Sequence, residues 1–253
     1  MRIKVINPNT TQSMTDTIAA AARQAAAPAT DVVATSPAMG PASIEDHYDE
    51  AFSVIGVIDE VRKGELEGFD GYVIACFGDP GLLAAREIAR GPVVGIAEAA
   101  MHMASLISTG FSVVSTLERS RPILEHLVEA YGMGRFCRSV RATDIAVLDL
   151  EKPESNARST IIAECRKAMA EDHADCVLLG CAGMADLQRS IAEELGIPVV
   201  DGVAAAVKLV EGLVALGLRT SKAGGLNYPV PKPYAGSLAR YAPTDPAPLR
   251  AAE

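Results

Sequence analysis

Short apolar runs alternate with longer amphipathic stretches along this chain. The apolar runs predict strands, for example at 3–6, 71–75 and 176–179, because they are too short for helices and rich in Val, Ile and Leu. The longer stretches predict helices, for example at 10–27 and 155–171. Regular alternation of this kind is typical of parallel sheets covered by helices. The sequence therefore predicts an α/β fold.

The order of elements repeats in two halves. Each half has a strand that runs into a cysteine, a small-residue turn, a helix, a Pro-Val-Val strand and an alanine-rich helix. Cys76 and Cys181 lie 105 positions apart, and Pro92 and Pro198 lie 106 apart. Any α/β protein repeats strand–helix units, but so constant a spacing favours two pseudo-symmetric lobes, each a mostly parallel sheet with flanking helices. We predict a discontinuous first lobe (1–108 with 203–232), a second lobe (109–202) and a C-terminal tail (233–253).

The two matching cysteines are the candidate reactive groups. Ligands of parallel sheets bind beyond the carboxyl ends of the strands, so Cys76 and Cys181 are expected to face each other across the cleft between the lobes. Two facing acid/base groups are what racemisation without a cofactor requires. Backbone N–H groups at the start of each following helix would favour the thiolate. Either cysteine alone is equally well explained as a buried structural residue, but their matching positions favour function.

Polar residues follow other strands at the same edges. Asn7 ends the first strand, and its amide is suited to a ligand carbonyl or N–H group. Ser115 and Thr116 end the first strand of the second half; Thr116 is expected to cap the next helix and is also a candidate ligand contact. The loop at 41–45, which contains Ile44, is predicted to form one wall of the pocket.

Charge and motifs exclude several function classes. A net charge of −9 argues against nucleic acid and anionic membranes as partners. The start of the chain lacks signal-peptide character, and five cysteines without a CxxC motif suit free thiols, so a cytoplasmic location is expected. Histidine spacing predicts no metal site. GxGxxG, Walker and GxSxG motifs are absent from the sequence, so neither a nucleotide cofactor nor serine hydrolase chemistry is predicted.

Six segments together resemble the hydantoin racemase branch of the Asp/Glu racemase superfamily. They are INPNT at 6–10, GPASIE at 40–45, CFGDPG at 76–81, VVSTLERS at 113–120, LGCAGM at 179–184 and GLRTSK at 217–222. The resemblance covers the chain to about residue 232, and the two cysteine motifs are its most specific part.

This resemblance implies racemisation of a 5-substituted hydantoin at C5, without a cofactor, in a site between the lobes. Cys76 and Cys181 match the catalytic pair of the family. The predicted substrate contacts are Asn7, Ile44, Phe77, Gly78, Asp79, Ser115, Thr116, Ala182 and Gly183. Ser115 departs from the threonine expected there, which leaves the preferred C5 substituent open. Allantoin racemases resemble the same branch, and allantoin is a ureido-substituted hydantoin, so allantoin is the alternative substrate.

Two further hypotheses remain at this point. An Asp/Glu-type amino-acid racemase would need cationic groups for a carboxylate, and related decarboxylases use only one of the two cysteines. A non-catalytic small-molecule-binding protein would also have two lobes and a cleft, but would not need two thiols. A small-molecule partner and a homo-oligomer are expected, the latter from the alanine-rich helices and the C-terminal arm.

Overall fold

Two four-stranded sheets form the centre of the protein in a computed structural model, which describes residues 1–243. The strands of the first sheet are β1 (Arg2–Ile6), β2 (Asp31–Thr35), β3 (Gly71–Ile74) and β4 (Val93–Gly95). Those of the second are β5 (Phe111–Ser115), β6 (Cys137–Ala142), β7 (Cys176–Leu179) and β8 (Val199–Asp201). Both sheets are parallel, with the matching orders β2-β1-β3-β4 and β6-β5-β7-β8. The predicted α/β fold with two pseudo-symmetric lobes is confirmed.

Helices cover both sheets. They are α1 (Gln12–Ala25), α2 (His47–Glu67), α3 (Leu82–Ile88), α4 (Ile96–Ile107), α5 (Arg121–Ala130), α6 (Ala157–Glu171), α7 (Gln188–Leu195) and α8 (Gly202–Ala215). Local chemistry sets several ends: Asp46 accepts the Asp49 N–H at the start of α2, and Gly68 ends it in the left-handed region with φ of 73°. Before α7 begins, Ala182–Leu187 forms a tighter 3-10 helix.

The central strands are buried on both faces, as expected for parallel sheets between helices. Every residue of β3, β5 and β7 is buried. Helix α4 contacts β4 of the first sheet and β7 and β8 of the second, so it connects the two lobes. Helix α8 packs against α1, α4 and β3. That packing supports the proposed return of the chain to the first lobe, and the domain boundaries stay a prediction.

The segment after α8 is held against the same chain. The Thr220 hydroxyl donates to the Gly91 carbonyl at 2.6 Å, and the Lys222 ammonium donates to the carbonyls of Arg86 at 2.6 Å and Glu87 at 3.0 Å. Those carbonyls lie at the end of α3, where a cation interacts favourably with the helix dipole. The last ten residues of the predicted tail, 244–253, lie outside the described part of the chain.

Candidate active site

The two cysteines line one cavity at the carboxyl ends of β3 and β7. Each lies two residues beyond the end of its strand, and each keeps part of its surface exposed. Seven other predicted contacts line the same cavity: Asn7, Ile44, Phe77, Gly78, Ser115, Thr116 and Ala182. Asp79 and Gly183 are not among the lining residues. The repeat in the sequence therefore corresponds to a shared site in space, since both sheets direct the same strand end toward the cavity.

Tight turns follow both cysteines. The Asp79 N–H donates to the Cys76 carbonyl at 2.9 Å, and the Met184 N–H donates to the Cys181 carbonyl at 3.1 Å. Within these turns, the backbone of Gly78 hydrogen-bonds the Cys76 thiol, and the backbone of Gly183 hydrogen-bonds the Cys181 thiol. Gly183 thus lies outside the cavity lining but acts on the Cys181 thiol through its backbone.

Burial controls the ionisation of both thiols. It raises the pKa of Cys76 to about 12 and that of Cys181 to about 11, although the Gly78 and Gly183 hydrogen bonds oppose the rise. A negative charge on Cys181 raises the Cys76 pKa further, so the two thiols interact electrostatically. The backbone donors of the turns favour the thiolate, as expected, but desolvation outweighs them and the pKa of each thiol is raised overall.

Asn7 is held by its own loop. Its amide nitrogen donates to the Asn9 side-chain oxygen at 2.8 Å and to the Thr15 hydroxyl at 2.9 Å, and its oxygen accepts the Asn9 N–H at 3.3 Å. Asn9 also lines the cavity, and the described acceptor for its amide nitrogen is the Met14 sulfur at 3.1 Å. Sequence reasoning missed Asn9 as a site residue, although it lies two positions from Asn7 in the same loop.

Ser115 connects the strand ends beneath the second cysteine. Its hydroxyl donates to the Gly180 carbonyl at 3.0 Å, directly before Cys181. A Cβ atom at Gly180 would lie only 2.8 Å from the Ser115 Cβ, so the close approach of β5 and β7 requires glycine there. The prediction that Thr116 caps the next helix is wrong: Leu117 precedes the 3-10 turn, and the Asp144 carboxylate accepts the Glu118 N–H at 3.1 Å.

Three carboxylates also line the cavity: Glu45, which belongs to the wall predicted at 41–45, and Asp46 and Glu50, which sequence reasoning did not select. The Glu45 carboxylate accepts the Val147 N–H from the second lobe at 2.9 Å, and Asp46 pairs with Arg119 at 2.9 Å. Burial raises the pKa of Glu50, against the opposing influence of His47. Neither lysine nor arginine is present among the described lining residues.

The part of the chain that the structure describes, residues 1–243, holds no candidate metal site and no candidate membrane span. No group of three or more His, Cys, Asp or Glu in this range could hold a metal ion. The helices of the same range are all too short or too polar to cross a membrane.

Comparison with known proteins gives a consistent result. The family model described as Asp/Glu/Hydantoin racemase matches residues 3–210. A hydantoin racemase from Pseudomonas sp. (strain NS671) is 51% identical, over 95% of this chain and 97% of its own. A hydantoin racemase from Rhizobium meliloti is 50% identical, over 93% of this chain and 98% of its own. The solved structure of an allantoin racemase from Klebsiella pneumoniae superposes with a TM-score of 0.94 at 50% identity, covering 96% of this chain and all of that one.

Proposed function

Since the chain belongs to the Asp/Glu/hydantoin racemase family, we propose that it racemises 5-substituted hydantoins at C5 with Cys76 and Cys181 as the two acid/base groups. The named relatives, at high identity over most of the chain, make the protein a racemase, which removes the hypothesis of a non-catalytic binding protein. The observation that carries the finer proposal is the pair of thiols in one cavity, one from the end of each sheet.

The proposed reaction passes a proton through an enolate. One cysteine, as thiolate, removes the C5 proton, and the electron pair of the C–H bond moves into the adjacent ring carbonyl. The other cysteine, as thiol, delivers its proton to the opposite face of C5. The thiol and the thiolate have then exchanged places, which is the form required by the mirror-image substrate. Backbone N–H groups of the two turns are suited to stabilise the enolate oxygen in a site shielded from water.

The lining of the cavity supports a neutral substrate. Glu45 and Glu50 would disfavour a free carboxylate, whereas the charge of Asp46 is balanced by Arg119, so a hydantoin ring fits this environment better than glutamate or aspartate. Allantoin is the second candidate, because the allantoin racemase structure matches nearly the whole chain and because carboxylates can accept hydrogen bonds from a ureido group. A cytoplasmic location and a homo-oligomeric state are also proposed; five free cysteines support the former.

Polarimetry with a panel of pure enantiomers tests the substrate class. Allantoin, an aliphatic hydantoin, an aromatic hydantoin and free glutamate are compared at equal concentration. We expect at least one hydantoin to lose optical rotation about 100-fold faster than glutamate, since a site lined by carboxylates rejects an anion. Heat-inactivated enzyme corrects for spontaneous racemisation. Faster racemisation of glutamate than of every hydantoin would contradict the proposal.

The raised thiol pKa values predict the pH dependence of the reaction. The active pair must have lost one proton. Neutral pH lies well below the pKa of either thiol, about 12 for Cys76 and about 11 for Cys181, so both thiols are mostly protonated there. The fraction with one thiolate therefore increases with pH, and kcat/KM should rise about tenfold per pH unit between pH 6 and 8. Initial rates at constant ionic strength give the slope, and circular dichroism verifies that the protein stays folded. A flat or falling profile would exclude a pair that is neutral at rest.

A further inference from the structure

The two lobes differ at one pair of equivalent positions, at the ends of β4 and β8. Gly95 ends β4 and pairs with Ile74, and Asp201 ends β8 and pairs with Leu179. Ile74 and Leu179 each lie two residues before the cysteine of their lobe. Gly95 and Asp201 are therefore structural counterparts, and each is the residue at the start of the following helix, α4 or α8.

The first turns of those helices are capped in different ways. In the second lobe the Asp201 carboxylate accepts the N–H groups of Val203 at 3.1 Å and Ala204 at 2.8 Å, an ordinary N-cap. Gly95 has no side chain for this task. The Asp79 carboxylate takes its place and accepts the N–H groups of Ala97 at 3.1 Å and Glu98 at 2.9 Å.

The two kinds of cap exclude each other. A Cβ atom added to Gly95 would overlap the carboxyl group of Asp79, with its nearest atoms only 2.2 to 2.4 Å away. The glycine is thus required for Asp79 to reach the helix. Asp79 adopts a left-handed backbone conformation with φ of 46°, which aspartate tolerates better than most residues.

The substitute cap comes from the turn that carries Cys76. Asp79 closes this turn through its own N–H, whereas the counterpart that closes the Cys181 turn is Met184, a fully buried apolar residue. The Tyr131 hydroxyl, from the second lobe, also donates to the Asp79 carboxylate at 2.8 Å. Asp79 therefore joins the Cys76 turn, the start of α4 and the second lobe.

We propose that Asp79 is a positioning residue for Cys76. Because Gly95 has no side chain, the Asp79 carboxylate can hydrogen-bond the start of α4 and the Tyr131 hydroxyl of the second lobe, and so holds the Cys76 turn in place. Met184, the counterpart of Asp79 in the Cys181 turn, has no carboxylate to do the same. The role of Cys76 in racemisation rests on the proposed function; the anchoring itself does not. The two cysteine turns are then held in different ways although their folds match. Loss of the anchor should displace Cys76 and leave Cys181 in place.

Three variants separate positioning from simple helix capping. Asp79→Asn keeps the size and backbone preference but replaces one acceptor oxygen with an NH2 group. Asp201→Asn is the matched control, because it weakens the equivalent cap in the second lobe without touching a cysteine turn. The double variant Asp79→Gly with Gly95→Asp moves the capping carboxylate to the position it has in the second lobe, so α4 is capped while the Cys76 turn is released.

The readouts are hydantoin racemisation, melting temperature, and the alkylation rate of each cysteine by iodoacetamide, measured by peptide mass spectrometry. We expect Asp79→Asn to lower kcat/KM about 10- to 100-fold, the range expected when a reacting group is displaced by about 1 Å. Alkylation of Cys76 should rise relative to that of Cys181, because the released turn admits the reagent. Asp201→Asn should lower the melting temperature with no change in that ratio. The double variant should have a higher melting temperature than Asp79→Asn, because α4 is capped again, but its racemisation should stay as low.

Three outcomes would overturn the proposal: equal effects of Asp79→Asn and Asp201→Asn on the alkylation ratio, an unchanged ratio in Asp79→Asn, or recovery of racemisation in the double variant. Each would reduce Asp79 to a helix cap. Failure of the wild-type protein to racemise any hydantoin is a separate result, which would reject the proposed function. The alkylation ratio would still report whether Asp79 holds the Cys76 turn.

Discussion

Replacing Cys76 or Cys181 by serine is expected to lower kcat/KM for racemisation about 100- to 10,000-fold, the usual contribution of a positioned acid or base. A serine hydroxyl is a far weaker acid than a thiol, so neither proton removal nor proton delivery on that face of C5 can proceed at a useful rate. Both thiols line the same cavity, so each variant retains one working face.

The cysteine that remains in each variant can still act on one face of C5, so deuterium exchange is the most specific measurement. With pure enantiomers in D2O, the cysteine left in each variant should exchange the C5 proton of one enantiomer for deuterium without inverting it, and Cys76→Ser and Cys181→Ser should show opposite preferences. Cys137→Ser is the matched control, since Cys137 is also partly exposed but does not line the cavity. Racemisation at the wild-type rate in both Cys76→Ser and Cys181→Ser would contradict the two-cysteine mechanism.

Glu60→Ala is expected to give the largest loss of stability, about 3–5 kcal/mol in the free energy of unfolding, the usual result when a buried ion pair loses one partner. The Lys4 ammonium is buried inside the first lobe and lies 3.0 Å from the Glu60 carboxylate. Burial of Glu60 acts to raise its pKa, but hydrogen bonds from Lys63 and Lys4 prevail and hold the pKa below its ordinary value. In Glu60→Ala the buried Lys4 charge loses its close ion pair and keeps the backbone carbonyl of residue 60, at 3.0 Å, and the more distant Glu67 carboxylate, at 3.9 Å.

Urea unfolding measures this loss, with two controls. Glu67→Ala removes a carboxylate 3.9 Å from the same lysine, but Glu67 is 54% exposed, so a change below about 1 kcal/mol is expected. The double variant Lys4→Met with Glu60→Leu removes both charges and should recover most of the stability, because an apolar pair of similar size packs without desolvating an ion. Equal losses from Glu60→Ala and Glu67→Ala would show that burial of the pair contributes nothing special.

The local sequence pattern was enough to predict the fold and to predict that the two cysteines lie at one site. Short apolar runs and period-3.6 patterns are properties of a few consecutive residues, and a strand ending at a cysteine has the same consequence in both halves. Helix ends were less predictable. Thr116 has the residue type of an N-cap, but Asp144, 28 positions away along the chain, binds the first free N–H of the following turn.

The surroundings of the cysteines could not be derived in the same way. Glu50 lies on α2, which the sequence gives no reason to aim at the pocket, whereas Asp79 lies three residues from Cys76 and yet its carboxylate is used by α4. Which side chains face a shared cavity depends on how helices and lobes pack, and packing joins residues that are distant in sequence.

By itself, the sequence determined the α/β fold, its two-fold repeat and the placement of one thiol at an equivalent strand end in each half, because each follows from short-range pattern and from the spacing of the repeat. Only the tertiary structure decided that the pKa of each thiol is raised, since desolvation depends on everything packed around them. It also decided the difference between the lobes: because Gly95 has no side chain, the Asp79 carboxylate of the neighbouring turn can cap α4.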